Sequence, residues 1–505
     1  MKQSNNKKYM MHKYWGKKPA GELRDIILKY SDESDTLLDP FAGYGGFSCE
    51  AVLLNRDVIS NDLNPMSTFI NERLLSDKVD FKKFNSMLDK IFIEVAPFEE
   101  LWYGYDGKII TTALRTQRDE VIGIRIKNEN RITEVESIST SYLSEFSVFE
   151  KNYNINDWYP TVHLFTNSRI SAKPGMAVQD LFPTRALACH AKLFSIINSF
   201  EDCEEKQLLL FAFTSNLANC SRLVPPIKSR GKMSQGAWMT GFYTGETYLE
   251  NNVFHYFMNR AKKVISGKKE FLEELHILKS RGNYKLLNED AKKLSITDNS
   301  IDLVFTDFPY GDAVPYFEQS VIWNSWLGHS VDYENEIVIS DSKERSKNKI
   351  KFQIDIFKSI CEIHRVLKPN KYFVFTFHSL SGFEWTAISN SLVKAGLEVA
   401  ECKLLIQKTL PPRQLNRKNT IKGDMLIICK KIDVNSDNFL VEEVDDEQIK
   451  DLFREVINSG SYYTNNVIVE FLKLFFQNRY IVNNDNIFNL LSTVAEFDGE
   501  GWVLL

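Results

Sequence analysis

Two carboxylates in this 505-residue chain stand where apolar strands end, each followed by residues suited to a ligand. The run Ile301-Asp302-Leu303-Val304-Phe305 reads as a buried strand and stops at Thr306-Asp307-Phe308-Pro309-Tyr310. A carboxylate at the mouth of an apolar sheet is costly to desolvate unless something there requires it. The other is Asp62, in Ser60-Asn61-Asp62-Leu63-Asn64-Pro65. It follows Leu37-Leu38-Asp39-Pro40-Phe41-Ala42-Gly43-Tyr44-Gly45-Gly46, a strand running into a glycine turn and then a helix. Glycines there let the backbone approach a nucleotide-like ligand, and an acid about 20 residues on suits the ribose hydroxyls. The glycines alone fit a ligand-free turn equally well; Asp62 is what turns the pair toward a nucleotide.

Short β-rich runs separated by helical stretches predict a parallel sheet with crossover helices. Strands are expected at Thr36 to Leu38, Asp57 to Asp62, Tyr284 to Leu287, Ile301 to Thr306, Tyr372 to Phe377, Glu398 to Leu405 and Asp424 to Lys430. Helices fit at Gly21 to Tyr30, Gly46 to Leu54, Asp355 to Leu367 and Thr386 to Ala395. The fold class is therefore α/β: a doubly wound seven-stranded Rossmann-like sheet. Far too many residues separate the second and third strands for a loop, so an insertion is required. Its first part, Leu101 to Ser139, reads as β-hairpins, and its later part as helices at Val178 to Phe200, Glu204 to Cys220 and Asn252 to Ser266. The domain reading is residues 1–80 as the half that carries the glycine turn, 81–280 as a mixed α+β insertion, 281–432 as the half that carries the Asp307 motif, and 433–505 as a small helical or winged domain.

Composition narrows the classes. A hydrophobic share of 43% and a charged share of 26% suit a soluble globular protein, and no apolar run reaches the length of a membrane span. The expected location is cytoplasmic. Seven scattered cysteines without a CxxC pair, and eight histidines without an HxxxH or HExxH pair, predict free thiols and no metal site. The formal charge of −5 is unevenly divided. Residues 433–505 hold 14 acidic and 4 basic side chains, which leaves the body at +5. The tail and the body are expected to face different partners.

The motifs, taken together, resemble an S-adenosylmethionine-dependent DNA methyltransferase of the amino-group type. DPFAGYGG resembles that family's cofactor motif, NDLNP its second motif, and His12-Lys13-Tyr14-Trp15-Gly16-Lys17-Lys18-Pro19 the upstream motif that closes over the methionine end. Asp307-Phe308-Pro309-Tyr310 resembles the catalytic [DNS]PP[YFW] motif, with Phe308 in place of a proline. Arg365-Val366-Leu367-Lys368-Pro369 and Lys422-Gly423-Asp424-Met425-Leu426-Ile427 also match. Trp158-Tyr159-Pro160, Asn167-Ser168-Arg169 and Phe211 to Pro226 resemble the large bacterial adenine-specific DNA methylases, whose zinc-ribbon cysteines this chain lacks.

The resemblance implies S-adenosylmethionine as cofactor, held by His12, Tyr14, Trp15, Asp39, Pro40, Phe41, Gly43, Gly45, Asp62 and Leu63, with Asp290 as candidate partner of its adenine amine. It implies a catalytic group in which Asp307 and the Phe308 carbonyl accept the two N–H bonds of a target amine, Pro309 sets the bend, and Tyr310 stacks on a flipped base. Double-stranded DNA is the expected substrate and adenine N6 the expected target. Cytosine N4, an RNA guanine N2, and a non-catalytic DNA-binding or regulatory subunit remain as alternatives. Lys343, Arg345 and Lys347 in one basic run, and Arg413, Arg417 and Lys418 in another, are candidate phosphate contacts, against the reading of plain solvated loops. Arg222, Lys228, Arg230 and Lys232 form a third basic group, and Trp102, Trp158 and Trp238 are read as core. The acidic tail, repelled by phosphate, predicts a protein partner such as a nuclease or defence-system subunit.

Overall fold

The computed structural model describes residues 6–128, 131–379, 382–405, 423–432, 442–461, 463–482 and 487–505. All seven expected strands form. They are β1 (Thr36–Asp39) and β2 (Asp57–Asn61), then, beyond the insertion's β3 (Gly104–Tyr105), β4 (Lys108–Thr116), β5 (Val121–Asn128), β6 (Arg131–Glu134) and β7 (Thr247–Asn251), the remaining five: β8 (Tyr284–Leu287), β9 (Ile301–Asp307), β10 (Leu367–Phe377), β11 (Leu397–Leu405) and β12 (Asp424–Lys431). The sheet order is β11-β12-β10-β9-β1-β2-β8. Only β12 runs antiparallel to its neighbours.

Side chains alternate between two apolar cores, as period-two geometry demands. Leu37, Phe305, Val374 and Leu426 enter one, whereas Leu38, Val304, Phe373, Phe375 and Ile427 enter the other. The chain supplies helices α1 (Ala20–Tyr30), α2 (Gly46–Leu53), α3 (Pro65–Leu75), α4 (Phe81–Tyr103), α5 (Thr140–Asn152), α6 (Thr184–Ser199), α7 (Glu204–Leu217), α8 (Val253–Ile277), α9 (Tyr316–Asn324), α10 (Lys349–Val366) and α11 (Gly382–Lys394). The first core takes in Phe47 of α2, Ile70 of α3 and the insertion's Trp102, Ile110 and Phe257. The second takes in Ile356 of α10, Ile388 of α11 and the C-terminal Phe453, Phe471 and Trp502.

The insertion departs from its expected outline at the start. Where hairpins are expected from Leu101, the helix α4 runs on to Tyr103, and its buried positions Phe84, Leu88, Ile91, Val95 and Trp102 give the helical period. β7 then returns to pair with β4. Beneath these strands a buried network ties Arg185 to Glu250 at 2.7 Å and Arg115 to Glu150 at 2.8 Å, with Arg115 also against Glu250.

The C-terminal residues form helices at Asp446–Asn458, Thr464–Gln477 and Ile487–Val494 and a hairpin of Ala495–Phe497 with Trp502–Leu504. Asp445 and Gln448 close a reciprocal capping box on the first of these helices. Asn390 of α11 holds the unit by exchanging two hydrogen bonds with the backbone of Val482, at 2.7 and 3.1 Å. Among the described residues no helix is long and apolar enough to cross a membrane, and no cluster of His, Cys, Asp and Glu is grouped to hold a metal ion.

Candidate active site

A cavity of about 1090 Å³ opens at the carboxyl ends of β1, β2 and β9, where doubly wound sheets bind ligands. Its walls include Tyr14, Trp15, Asp39, Pro40, Phe41, Gly43, Asp62, Leu63, Asp290, Asp307 and Pro309, all singled out by sequence. Asn61, the last residue of β2, fastens this corner. Its amide donates to the carbonyls of Pro40 at 3.1 Å and Glu289 at 3.0 Å, and its oxygen accepts the Glu289 N–H at 2.9 Å. The ends of β1 and β8 are thereby fixed about β2, and Asp290 follows directly.

Asp62 is built into the glycine turn. Its Oδ2 accepts the Gly43 N–H at 2.8 Å and its Oδ1 the Asn64 N–H at 2.9 Å. Burial raises its pKa, opposed by those backbone bonds. Asp39 accepts the Phe41 N–H at 3.1 Å, and burial, with Asp62 and Asp307 nearby, puts its carboxyl well above the ordinary range. Gly45 plays another part than the expected one. It does not line the cavity; it starts α2 at φ 84°, and a Cβ there would collide with the Asn71 amide.

Asp307 ends β9 in register with Thr376 of β10. Its Oδ1 takes three donors: the Thr376 hydroxyl at 2.7 Å, the Tyr310 hydroxyl at 2.7 Å and the Lys18 ammonium at 3.0 Å. Its Oδ2 lies beside Gly16, where a Cβ would stand 3.2 Å away. Burial raises the Asp307 pKa, Lys18 works to lower it, and Asp424 adds to the rise. Phe308 is fully buried against Phe41, Phe373 and Phe375, so only its backbone can serve a substrate. Tyr310 is absent from the cavity wall: its hydroxyl is spent on Asp307 and its ring lies 6.0 Å from that of Phe377.

The upstream motif divides. Tyr14 and Trp15 line the cavity, and the buried indole Nε1 of Trp15 has no hydrogen-bond partner. Lys17, which sequence did not single out, lines it as well; its ammonium donates to the carbonyls of Tyr9 at 2.7 Å and His12 at 2.5 Å, and burial, helped by Lys13, pushes its pKa down to about 7. His12 corrects the expectation of a cofactor contact. It points into the insertion, stacked on Phe211 at 5.0 Å with Nε2 3.2 Å from the Thr214 hydroxyl. Burial lowers its pKa to about 3, so it is a neutral packing group.

Tyr316 and the strap Asn335, Glu336 and Ile337 also line the cavity, unforeseen in sequence. The strap is held by the basic run expected to grip DNA, which is a further correction. Arg345 is 6% exposed, pairs with Glu318 of α9 at 2.5 Å and also binds Glu336. Lys347 is 1% exposed and donates to the Glu336 carbonyl at 2.7 Å and to that of Glu334. Burial, with Glu318 close by, pushes the Glu336 carboxyl up to about 8 despite Arg345. Lys343 alone of the three is exposed. Arg413, Arg417 and Lys418 lie outside the described residues. Of the third basic group, Arg222 is paired with Asp119 at 2.5 Å. Trp102 and Trp238 are core as expected, but Trp158 is 56% exposed.

The insertion reaches the loop after β9 through Asn167-Ser168-Arg169. Arg169 binds the Asp312 carboxylate at 2.5 Å and its carbonyl at 3.1 Å, and the Ser168 N–H donates to Asp341 at 3.0 Å. The insertion is thereby bonded both to the loop after β9 and to the segment that follows the strap.

Strand order, the glycine turn and Asp62 together form a Rossmann-like ligand site at the carboxyl ends of the strands. Residues 1–70 match the family model described as DNA methylase, of the N6/N4 methyltransferase type, which uses S-adenosylmethionine. No curated protein matches the chain. Among solved structures it is similar to an rRNA methyltransferase from Streptomyces viridochromogenes, with 10% identity over 86% of this chain and 95% of that one and a TM-score of 0.28. It is also similar to a SAM-dependent methyltransferase from Methanosarcina mazei, with 12% identity over 32% of this chain and 76% of that one and a TM-score of 0.18. The fold assignment rests on the strand order itself.

Proposed function

We propose that the chain methylates the exocyclic amine of a base in double-stranded DNA, with adenine N6 as the target. The observation that carries this reading is the division of labour within Asp307: three donors engage Oδ1, and Oδ2 faces the side-chain-free space at Gly16. An exocyclic amine is a weak nucleophile because its lone pair is delocalised into the ring, so acceptors on its hydrogens and alignment with the donor are what an enzyme must add.

The cavity suits the cofactor. Its glycine turn keeps the β1 end open, and the stranded Trp15 Nε1 offers a donor that nothing among the described residues accepts. S-adenosylmethionine supplies an electrophilic methyl group on a cationic sulfur. Asp62 would take the ribose hydroxyls, Asp290 the adenine amine, and Tyr14, Trp15 and Lys17 the methionine end. Asp307 Oδ2 accepts one N–H of the target amine and the Phe308 carbonyl the other. Tyr310 orients Asp307, in place of the base-stacking role expected from its position in the motif.

The insertion is assigned to reading the target, since Arg169 and Ser168 bring it to the loop after β9 and to the segment that follows the strap. Lys343 remains a phosphate candidate, and the acidic C-terminal unit is assigned to a protein contact. The test is incubation of the full chain with methyl-labelled S-adenosylmethionine and duplex DNA, followed by digestion to nucleosides. Label in N6-methyladenine that vanishes with Asp307→Ala supports the proposal. Label in N4-methylcytosine moves the target, label only in a parallel incubation with RNA overturns the DNA reading, and DNA label undiminished in Asp307→Ala overturns the role of Asp307.

A further inference from the structure

The Lys18 ammonium is nine-tenths buried yet shared by two carboxylates: Asp307 at 3.0 Å and Asp424 at 2.7 Å, with the Tyr310 hydroxyl at 2.9 Å. Asp424 opens β12, the antiparallel strand, and belongs to no part of the cofactor cavity wall. The two acids share this one ammonium, so each bond to Lys18 draws on the same buried charge.

We propose that Lys18 and Asp424 are positioning residues for the methyl transfer: Lys18 fixes Oδ1 of Asp307 so that Oδ2 is the atom presented to the amine, and Asp424 holds Lys18 there while dividing its charge. This rests on the reading of Asp307 given above. Because Oδ1 is saturated by Lys18, Tyr310 and Thr376, an incoming N–H finds only Oδ2, next to Gly16. As the amine nitrogen bonds the methyl carbon the S–CH3 bond breaks, S-adenosylhomocysteine leaves, and Oδ2 is placed to take the proton that the methylated, cationic nitrogen gives up.

The two partners act on Asp307 in opposite directions. Lys18 favours its ionised form and Asp424 disfavours it; burial opposes the Lys18 charge as well, but the two acids outweigh it and raise its pKa. Among the described residues the other groups facing this cluster include Tyr310 and Tyr316 beside Asp307, Asp39 from β1, His378 beyond β10 and Glu22 of α1. None of them bonds to both Lys18 and Asp307 except Tyr310.

The experiment uses the full chain with carboxyl-13C aspartate, in which the Asp307 resonance is the one lost in Asp307→Asn. Its titration is followed in Lys18→Met, Lys18→Arg and Asp424→Asn, alongside the pH profile of single-turnover DNA methylation. Removing Lys18 should shift the Asp307 titration and the acid limb of the rate upward by about one pH unit or more, and Asp424→Asn should shift both downward. Lys18→Arg should restore most of the wild-type profile. Shifts in the same direction, or none, overturn the proposal. If Lys18→Met does not fold, the downward shift in Asp424→Asn and the rescue by Lys18→Arg carry the test. Opposite titration shifts in a wild type that labels no DNA support the charge sharing and overturn the DNA reading, so the two failures are told apart.

Discussion

Gly16 lies against Asp307 so closely that a single methyl group on it would stand 3.2 Å from Oδ2 and 3.8 Å from the Tyr316 hydroxyl. Its φ of 73° also lies in the left-handed region, where an L side chain is strained by about 1–2 kcal/mol. Gly16→Ala is therefore expected to displace the acceptor and crowd the amine. Methyl transfer should fall about 100-fold, as for other small misplacements of reacting groups. Steady-state kinetics against circular dichroism melting checks this: the loss should appear in the rate and far exceed what partial unfolding explains.

The Asp62 carboxylate accepts two backbone N–H groups while facing the cavity. Asp62→Asn would turn an amide N–H toward one of those donors, and an unsatisfied buried group of this kind costs about 1–3 kcal/mol. Calorimetric titration with S-adenosylhomocysteine should show affinity reduced about 10- to 100-fold, whereas Asp307→Asn should change it by less than about threefold. Equal losses in the two variants would remove the distinction between a cofactor acid and a substrate acid.

The strand skeleton was legible because short β-rich apolar runs ended in turn residues, and the pocket acids were legible because Asp39, Asp62 and Asp307 sit at strand ends and Asp290 shortly follows one. What could not be read was pairing across long sequence distance. Lys18 meets Asp424 406 residues away, and nothing local marks either as partner of the other. His12 sits squarely in a cofactor-like motif, but its neighbours Phe211 and Thr214 come from the insertion. The run from Lys343 to Lys351 read as exposed, whether as phosphate contacts or as a solvated loop, whereas Glu318 and Glu336 turn Arg345 inward. Helix α10 begins at Lys349, before the expected Asp355, because Asn348 caps it by accepting the Lys351 N–H at 2.8 Å.

Arg345 separates two buried carboxylates, so its removal should unseat the strap rather than weaken DNA binding. Arg345→Met leaves Glu318 and Glu336 facing each other, and breaking a buried pair in this way costs about 3–5 kcal/mol. A lowered denaturant midpoint is expected, with the salt dependence of DNA binding unchanged. Lys343→Ala, at an exposed site, should leave the midpoint alone and reduce the slope of log affinity against log salt by about 1 if that side chain meets a phosphate.

His12 and His190 give the stability an acid limb with a defined sign. Burial lowers both imidazoles to about 3, from an ordinary value of 6.5. Between those values the unfolded chain binds protons that the folded chain refuses, so stability should be full above pH 6.5 and fall steadily as the pH drops toward 3. Each ring is fixed by aromatic packing, His12 on Phe211 and His190 against Phe182 and Phe213. A double variant His12→Phe, His190→Phe loses the bonds to Thr214 and the Cys220 carbonyl and starts less stable. Its stability should nonetheless decline less steeply between pH 6.5 and 4.5 than that of the wild type. Urea titrations across that interval read the slope directly, and parallel slopes in the two proteins would exclude these histidines as its source.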